Sequence, residues 1–263
     1  MIVPPLGRIL FRDRLVIVGL LLLVVATTWL YTIEMARMMV AIASSSHSHM
    51  IHDILSPHQE HFGVLALAGM WVVMMVAMML PSVIPVTVMH ARHLRGNEAN
   101  PQAHSLVFAL GYTTVWIAFS IVASVLQLGL ERYALISPTW MRLEHEQVGA
   151  AVLIAAGLYQ FSPMKNACLR QCRTPLGFLM TEWRDGLCGA WTMGILNGLY
   201  CVGCCWALML LLFVGGVMNM LWMFGLTLIM LVEKVAPGGQ YFARVIGIFI
   251  VLAGISKLGG LFG

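Results

Sequence analysis

The chain has 263 residues, 60% of them apolar and only 10% charged, with a formal net charge of +4 and a mean hydropathy of +0.88. A soluble domain carries about a quarter of its residues charged, so this composition excludes a soluble globule. The few basic residues are scattered, which removes any case for nucleic-acid binding. Several apolar windows exceed the roughly 20 residues that cross a hydrocarbon core. Backbone in such windows must satisfy its own hydrogen bonds, as helices or as a closed barrel. The period-2 alternation of a barrel is absent, so the expected fold class is all-α, a polytopic transmembrane helix bundle forming one domain over residues 1–263.

Seven spans are expected in chain order, at 15–43, 63–94, 103–130, 147–161, 186–214, 217–232 and 240–260. The first follows Arg8, Arg12 and Arg14 and resembles a signal peptide. It is too long for one and continues into Glu34 and Arg37, so it reads as a retained helix. Asn100-Pro101 opens the third span, and Ser162-Pro163 closes the short fourth. Gly215-Gly216 is the natural turn in an apolar run too long for one crossing. A six-span bundle with a re-entrant fourth segment is the alternative. With the N-terminus in the cytoplasm, the inner side receives Arg8, Arg12, Arg14, Arg92, Arg95, Lys165, Arg170, Arg173, Arg184, Lys234 and Arg244. Arg37, Arg132, Arg142 and Lys257 remain outside. This is the positive-inside pattern; it puts the 44–62 loop outside and the 165–185 loop in the cytoplasm.

The chain holds 20 Met, 6 Cys and 9 His, against 11 Phe. Methionine is an adaptable apolar filler, but its positions here are ordered. Met70, Met74 and Met78 form one i,i+4 row in the second span, with Met75 and Met79 beside it. In the fifth span Met193, Asn197, Cys201, Cys205 and Met209 stack at the same spacing, with Cys204 one step round. Polar groups at bilayer depth are costly and usually functional. Gly198 and Gly203 favour close helix approach. Before that span, Cys168 and Cys172 lie at i,i+4 in the expected cytoplasmic loop, where Arg170 and Arg173 would favour thiolates. The outer loop carries His47, His49 and His52, a short His tract of the kind that binds metal but without standard zinc spacing.

Residues 71–82, Tyr159-Gln160, Lys165, Cys168, Cys172-Arg173, 198–209, 216–219 and Glu233-Lys234 resemble a bacterial family of predicted metal-binding integral membrane proteins of unknown function. The resemblance covers about 63–260. It implies a helical protein of the bacterial inner membrane with a metal role. The His tract and the first helix fall outside that core.

Thiols and thioethers select Cu(I), whereas the carboxylates that suit Mg, Ca or Mn are nearly absent from the spans. Zinc accepts Cys and His but leaves the methionines unexplained. Copper is therefore the expected cargo, bound or moved through Cys201, Cys204, Cys205, Met209, Met193, Met70, Met74, Met78, Cys168, Cys172, His47, His49 and His52. A copper chaperone or a copper membrane enzyme is the expected partner. Helix geometry favours Cys205 over Cys204 as the companion of Cys201, since successive residues diverge by about 100°. Two alternatives stand: a membrane thiol–disulfide oxidoreductase using the Cys201-x-x-Cys204 spacing, and an accessory or assembly subunit of a copper enzyme. No nucleotide loop or hydrolase pattern is present, so catalysis is not expected. A periplasm-active reporter inserted into the 44–62 loop should be active; inactivity there would overturn the orientation.

Overall fold

The computed structural model describes residues 6–44, 60–93, 100–136 and 141–259, so the His47, His49 and His52 tract lies outside the described residues. Nine helices are described: α1 (Leu6–Ser44), α2 (Glu60–His93), α3 (Pro101–Arg132), α4 (Glu146–Tyr159), α5 (Pro163–Arg173), α6 (Pro175–Thr181), α7 (Gly186–Gly215), α8 (Met220–Val235) and α9 (Gly239–Gly259). Among the described residues the only β-pairing is an isolated bridge between Ile136 and Leu143. Five helices, α1, α2, α3, α7 and α9, are long and apolar enough to cross a membrane. That is fewer than the seven expected. The remaining two expected spans became α4, with 14 residues, and α8, with 16.

Local chemistry explains the boundaries. Pro101 occupies the first turn of α3, where a missing N–H costs nothing. Ser162 caps α5 by accepting from the Met164 N–H at 3.2 Å, with Pro163 next. Gly216, at φ 95°, ends α7 in a left-handed turn that only glycine adopts freely. Asn219 then caps α8 by accepting from Trp222 N–H. The Trp222 indole turns back to donate to Leu211 O at 2.7 Å, tying the first turn of α8 to the last turns of α7. In α2, Pro81 cannot donate to Ala77 O four residues earlier. Trp29 Nε1 of α1 supplies the missing bond at 3.0 Å.

Helix directions follow from paired contacts. Phe108, Gly111 and Val115 of α3 meet Gly194, Ile195 and Gly198 of α7 in ascending order, so these helices run parallel. Trp71 bonds Gln127 while Ser82 meets Tyr112, so α2 and α3 are antiparallel. Trp222 reaches Leu211 and Lys234 reaches Cys201, so α8 opposes α7. Cys201, halfway along α7, therefore shares a level with Ser82, Tyr112 and Lys234.

The expected 165–185 loop is instead helical and packed. Tyr159, the last residue of α4, donates to Gly203 O at 2.6 Å, so α4 stops level with the middle of α7. From there α5 and α6 continue along the N-terminal half of α7, with Phe178 against Tyr200 and the Arg184 N–H on Met193 Sδ at 3.3 Å. Lys165 and Lys234, assigned above to the inner surface, are buried, at 1% and 7% exposure. Sequence alone counts such charges as boundary markers because burial is invisible to it.

The contact between α3 and α7 is the most extensive in the bundle. A Cβ on Gly194 would lie 2.1 Å from Phe108 O, and one on Gly111 would lie 2.4 Å from Trp191 O. The two backbones touch, and small residues are what permit this between apolar helices. Gly194→Ala should destabilise the purified protein by about 1–3 kcal/mol, the usual cost of overpacking. Gly129→Ala, with nothing within 4 Å of the added methyl, should leave thermal unfolding unchanged or slightly raised. Equal effects of the two would refute the close-contact account.

Candidate functional site

Close approach of α3 to α7 sets Tyr112 beside Cys201, with the phenol 3.0 Å from the thiol sulfur. On the other side Lys234 of α8 brings its ammonium to 2.9 Å from Cys201 Sγ. The same ammonium donates to Ser82 Oγ at 3.2 Å and lies 3.9 Å from Met79 Sδ. Ser82 Oγ is itself 4.0 Å from the thiol, and Tyr112 also reaches Met79 O at 3.1 Å. Cys201 is thus met by a cation and two hydroxyls, with the Met79 thioether against that cation, and it is 2% exposed.

The thiols of Cys204 and Cys205 both turn back to donate to Cys201 O, at 3.1 and 2.9 Å. From the opposite flank α5 brings two more. Cys172 is half-buried and packs against the same interior that holds Cys201 and Cys204. Cys168 Sγ sits over Gly203, where a Cβ would come within 2.7 Å of it. Five thiols from two helices thus share one interior, while the sixth, Cys188, is exposed; all are reduced. α5 arrives on the flank of α7 that carries Gly203, where the Cys168 thiol lies. Arg173 does not turn to these thiols. Its guanidinium donates to Ala236 O at 2.8 Å beyond the end of α8, and Arg170 is exposed.

The other sequence-derived candidates are dispersed. Met70, Met74 and Met78 are buried in α2, but the α2 groups that reach the Cys201 surroundings are Met79 and Ser82. Met193 and Met209 are buried too. Each is eight residues from Cys201, about 12 Å along the helix at 1.5 Å per residue, so neither shares an ion with it. Sequence reasoning passed over Ser82, Tyr112 and Lys234. The available signal was Glu233-Lys234 itself, two charges closing an apolar run, where ionisable groups are usually functional.

Among the described residues no three His, Cys, Asp or Glu side chains form a ready metal triad. The arrangement offers instead thiol pairs with a neighbouring thioether, a donor set suited to Cu(I). The family model described as PpoB2, copper chaperone, matches residues 68–257. The chain belongs to this family. No curated protein and no solved structure matches significantly. Copper handling is therefore a property of the family, and the match omits the His tract while including every cysteine.

The Gly203 contact has a measurable signature. Gly203→Ala should destabilise by about 1 kcal/mol or more through its clash with Cys168. Adding Cys168→Ala should recover part of that loss, a non-additive pair of the kind expected for neighbours. Strict additivity in thermal unfolding would place the two residues apart.

Proposed function

We propose that this chain is a multi-pass protein of the bacterial cytoplasmic membrane, N-terminus inside, that accepts Cu(I) at the Cys201 cluster and passes it to a copper carrier or copper membrane enzyme. The observation that carries the reading is the buried ammonium of Lys234 against Cys201 in a thiol-rich interior. Metal-binding sulfur is thiolate. Cu(I) held by two thiolates carries one net negative charge, and an uncompensated charge in an apolar interior is expensive. Lys234 supplies the balancing charge, so the loaded site is neutral. The nearby Lys165–Glu233 pair is neutral by itself.

Membrane placement is supported by helix direction. Since α3 and α7 run parallel, the chain has to return between them, and the segment available is α4 followed by α5 and α6. Together they make one interrupted crossing. Non-helical backbone at membrane depth is tolerated where protein surrounds it, and interrupted helices are where transport proteins build ion sites. Seven crossings result, two of them made by short helices. With the buried Lys165 and Lys234 removed, Arg8, Arg12, Arg14, Arg92, Arg95, Arg170, Arg173, Arg184 and Arg244 still outnumber the four outer cations.

Within this reading Cys201 and Cys204 are the primary ligands, with Cys172, Cys168 and Cys205 as exchange partners and Met79 the nearest thioether. Met70, Met74, Met78 and Met209 supply weak sulfur donors on the outer side, and Met193 lies on the inner side. Met223 and Met230, fully buried on α8, extend the same set. His47, His49 and His52 would capture the ion outside. Weak, multiple sites are what passage requires.

A second reading, thiol–disulfide exchange, draws on the free thiols of α5 and α7 packed in one interior and on the Cys201-x-x-Cys204 spacing. One comparison separates them. Protein purified after growth in copper should carry about one Cu(I) per chain, and Cys201→Ser with Cys204→Ser should lower retention at least tenfold, about 1.4 kcal/mol. Cys188→Ser should retain it. A metal-free wild type with a trapped Cys201–Cys204 disulfide would favour exchange instead.

A further inference from the structure

The two halves of the thiol cluster are held differently. Cys201 and Cys204 belong to an unbroken 30-residue helix, whereas α5 is cut off from α4 by the turn at Gln160–Ser162. Its position must come from side chains. Along α5, Lys165, Cys168, Leu169 and Cys172 fall at i, i+3, i+4 and i+7, one face of the helix. Lys165 and Leu169 on that face are buried, at 1% and 0% exposure. At the head of this face the Lys165 ammonium donates to Glu233 Oε2 at 2.7 Å and to Gln160 Oε1. The carboxylate is 2% exposed and, among the described residues, is the only one paired with Lys165. The next residue of α8 is Lys234, which grips Cys201. Adjacent residues of a helix point about 100° apart, so one turn of α8 reaches in two directions at once, towards α5 and towards α7.

We infer that Glu233 is a positioning residue for the proposed copper site: through its buried ion pair with Lys165 it sets the α5 thiols, Cys168 over Gly203 and Cys172 one turn on, against the thiol-bearing turns of α7. Arg173, bonded to Ala236 O beyond the end of α8, fixes the other end of α5. α5 is therefore seated on α8 at two points and contributes thiols to a site on α7. The inference rests on the proposed sulfur site, but the geometry it asserts needs no metal.

The test uses full-length chain in which only Cys172 and Cys201 are retained, treated with the fluorogenic thiol cross-linker dibromobimane. The parent should cross-link readily. Glu233→Gln, which leaves Lys165 without its counter-charge, should lower the cross-linked fraction about fivefold or more while the protein remains monodisperse. The charge reversal Lys165→Glu with Glu233→Lys should restore it, and a merely space-filling role would not predict that rescue. Should Glu233→Gln fail to fold, Glu233→Asp keeps the charge, shortens its reach by one methylene and should give an intermediate loss. Cross-linking undiminished in folded Glu233→Gln or Glu233→Asp, or absent from a folded charge reversal, overturns the inference. A wild-type chain that cross-links normally but holds no copper would instead count against the functional reading alone.

Discussion

Two ammonium groups, those of Lys165 and Lys234, sit in an interior built almost wholly of apolar side chains, and the architecture follows from the need to match them. A buried cation without a partner costs several kcal/mol, so each must be met by groups brought from elsewhere in the chain. Lys165 is met by Glu233 and Gln160, which draws α5 onto α8 and the end of α4. Lys234 is met by Cys201, Ser82 and Met79, which draws α8 onto α7 and α2. Tyr112 closes the ring from α3. Six helices converge because their polar groups have nowhere else to go.

The apolar packing makes that convergence possible without directing it. Direct backbone contact of α3 and α7 at Gly111 and Gly194 puts Tyr112 within reach of Cys201. Gly203 does the same for Cys168 on the opposite flank. Methionine follows the same division between inside and outside. Those of α2, α7 and α8 at positions 70, 74, 75, 78, 79, 193, 209, 223 and 230 are buried, whereas the large exposed side chains of these helices are Leu, Val, Phe and Trp.

Much of this was legible in the sequence. The all-helical class, the turn at Gly215-Gly216, the helix start at Pro101 and the thiols of α7 all rest on local signals: hydropathy, capping and i,i+4 spacing. Tertiary relations were not legible. Pro163 reads equally well as the end of a span and as the first turn of a new helix; it is the second. The 165–185 segment has the charge of a solvent-facing loop, yet α5 packs on α7 and α6 on α2. Lys234 looks like a boundary residue because its neighbours are a glutamate and, soon after, Pro237-Gly238-Gly239. Only the three-dimensional arrangement turns it inward.

An interrupted α4–α5 segment also bears on how a copper carrier releases its cargo. A site made from one continuous helix would have fixed donor spacing, and the ion would leave only by dissociation into a medium without ligands. Thiols on two separately seated helices allow stepwise exchange, each new sulfur bond forming before an old one breaks. The Cys201 and Cys204 side of the cluster is held rigidly by α7, and the Cys168 and Cys172 side by two contacts to α8. Cys172 packs on the interior that holds both α7 thiols, whereas Cys168 lies over Gly203, one turn nearer Lys165 along α5. In the copper reading an ion held by Cys201 and Cys204 can pass to Cys172 through a three-sulfur arrangement without meeting an apolar gap. In the same reading Lys234, beside Cys201, would balance both the loaded site and the thiolate left behind.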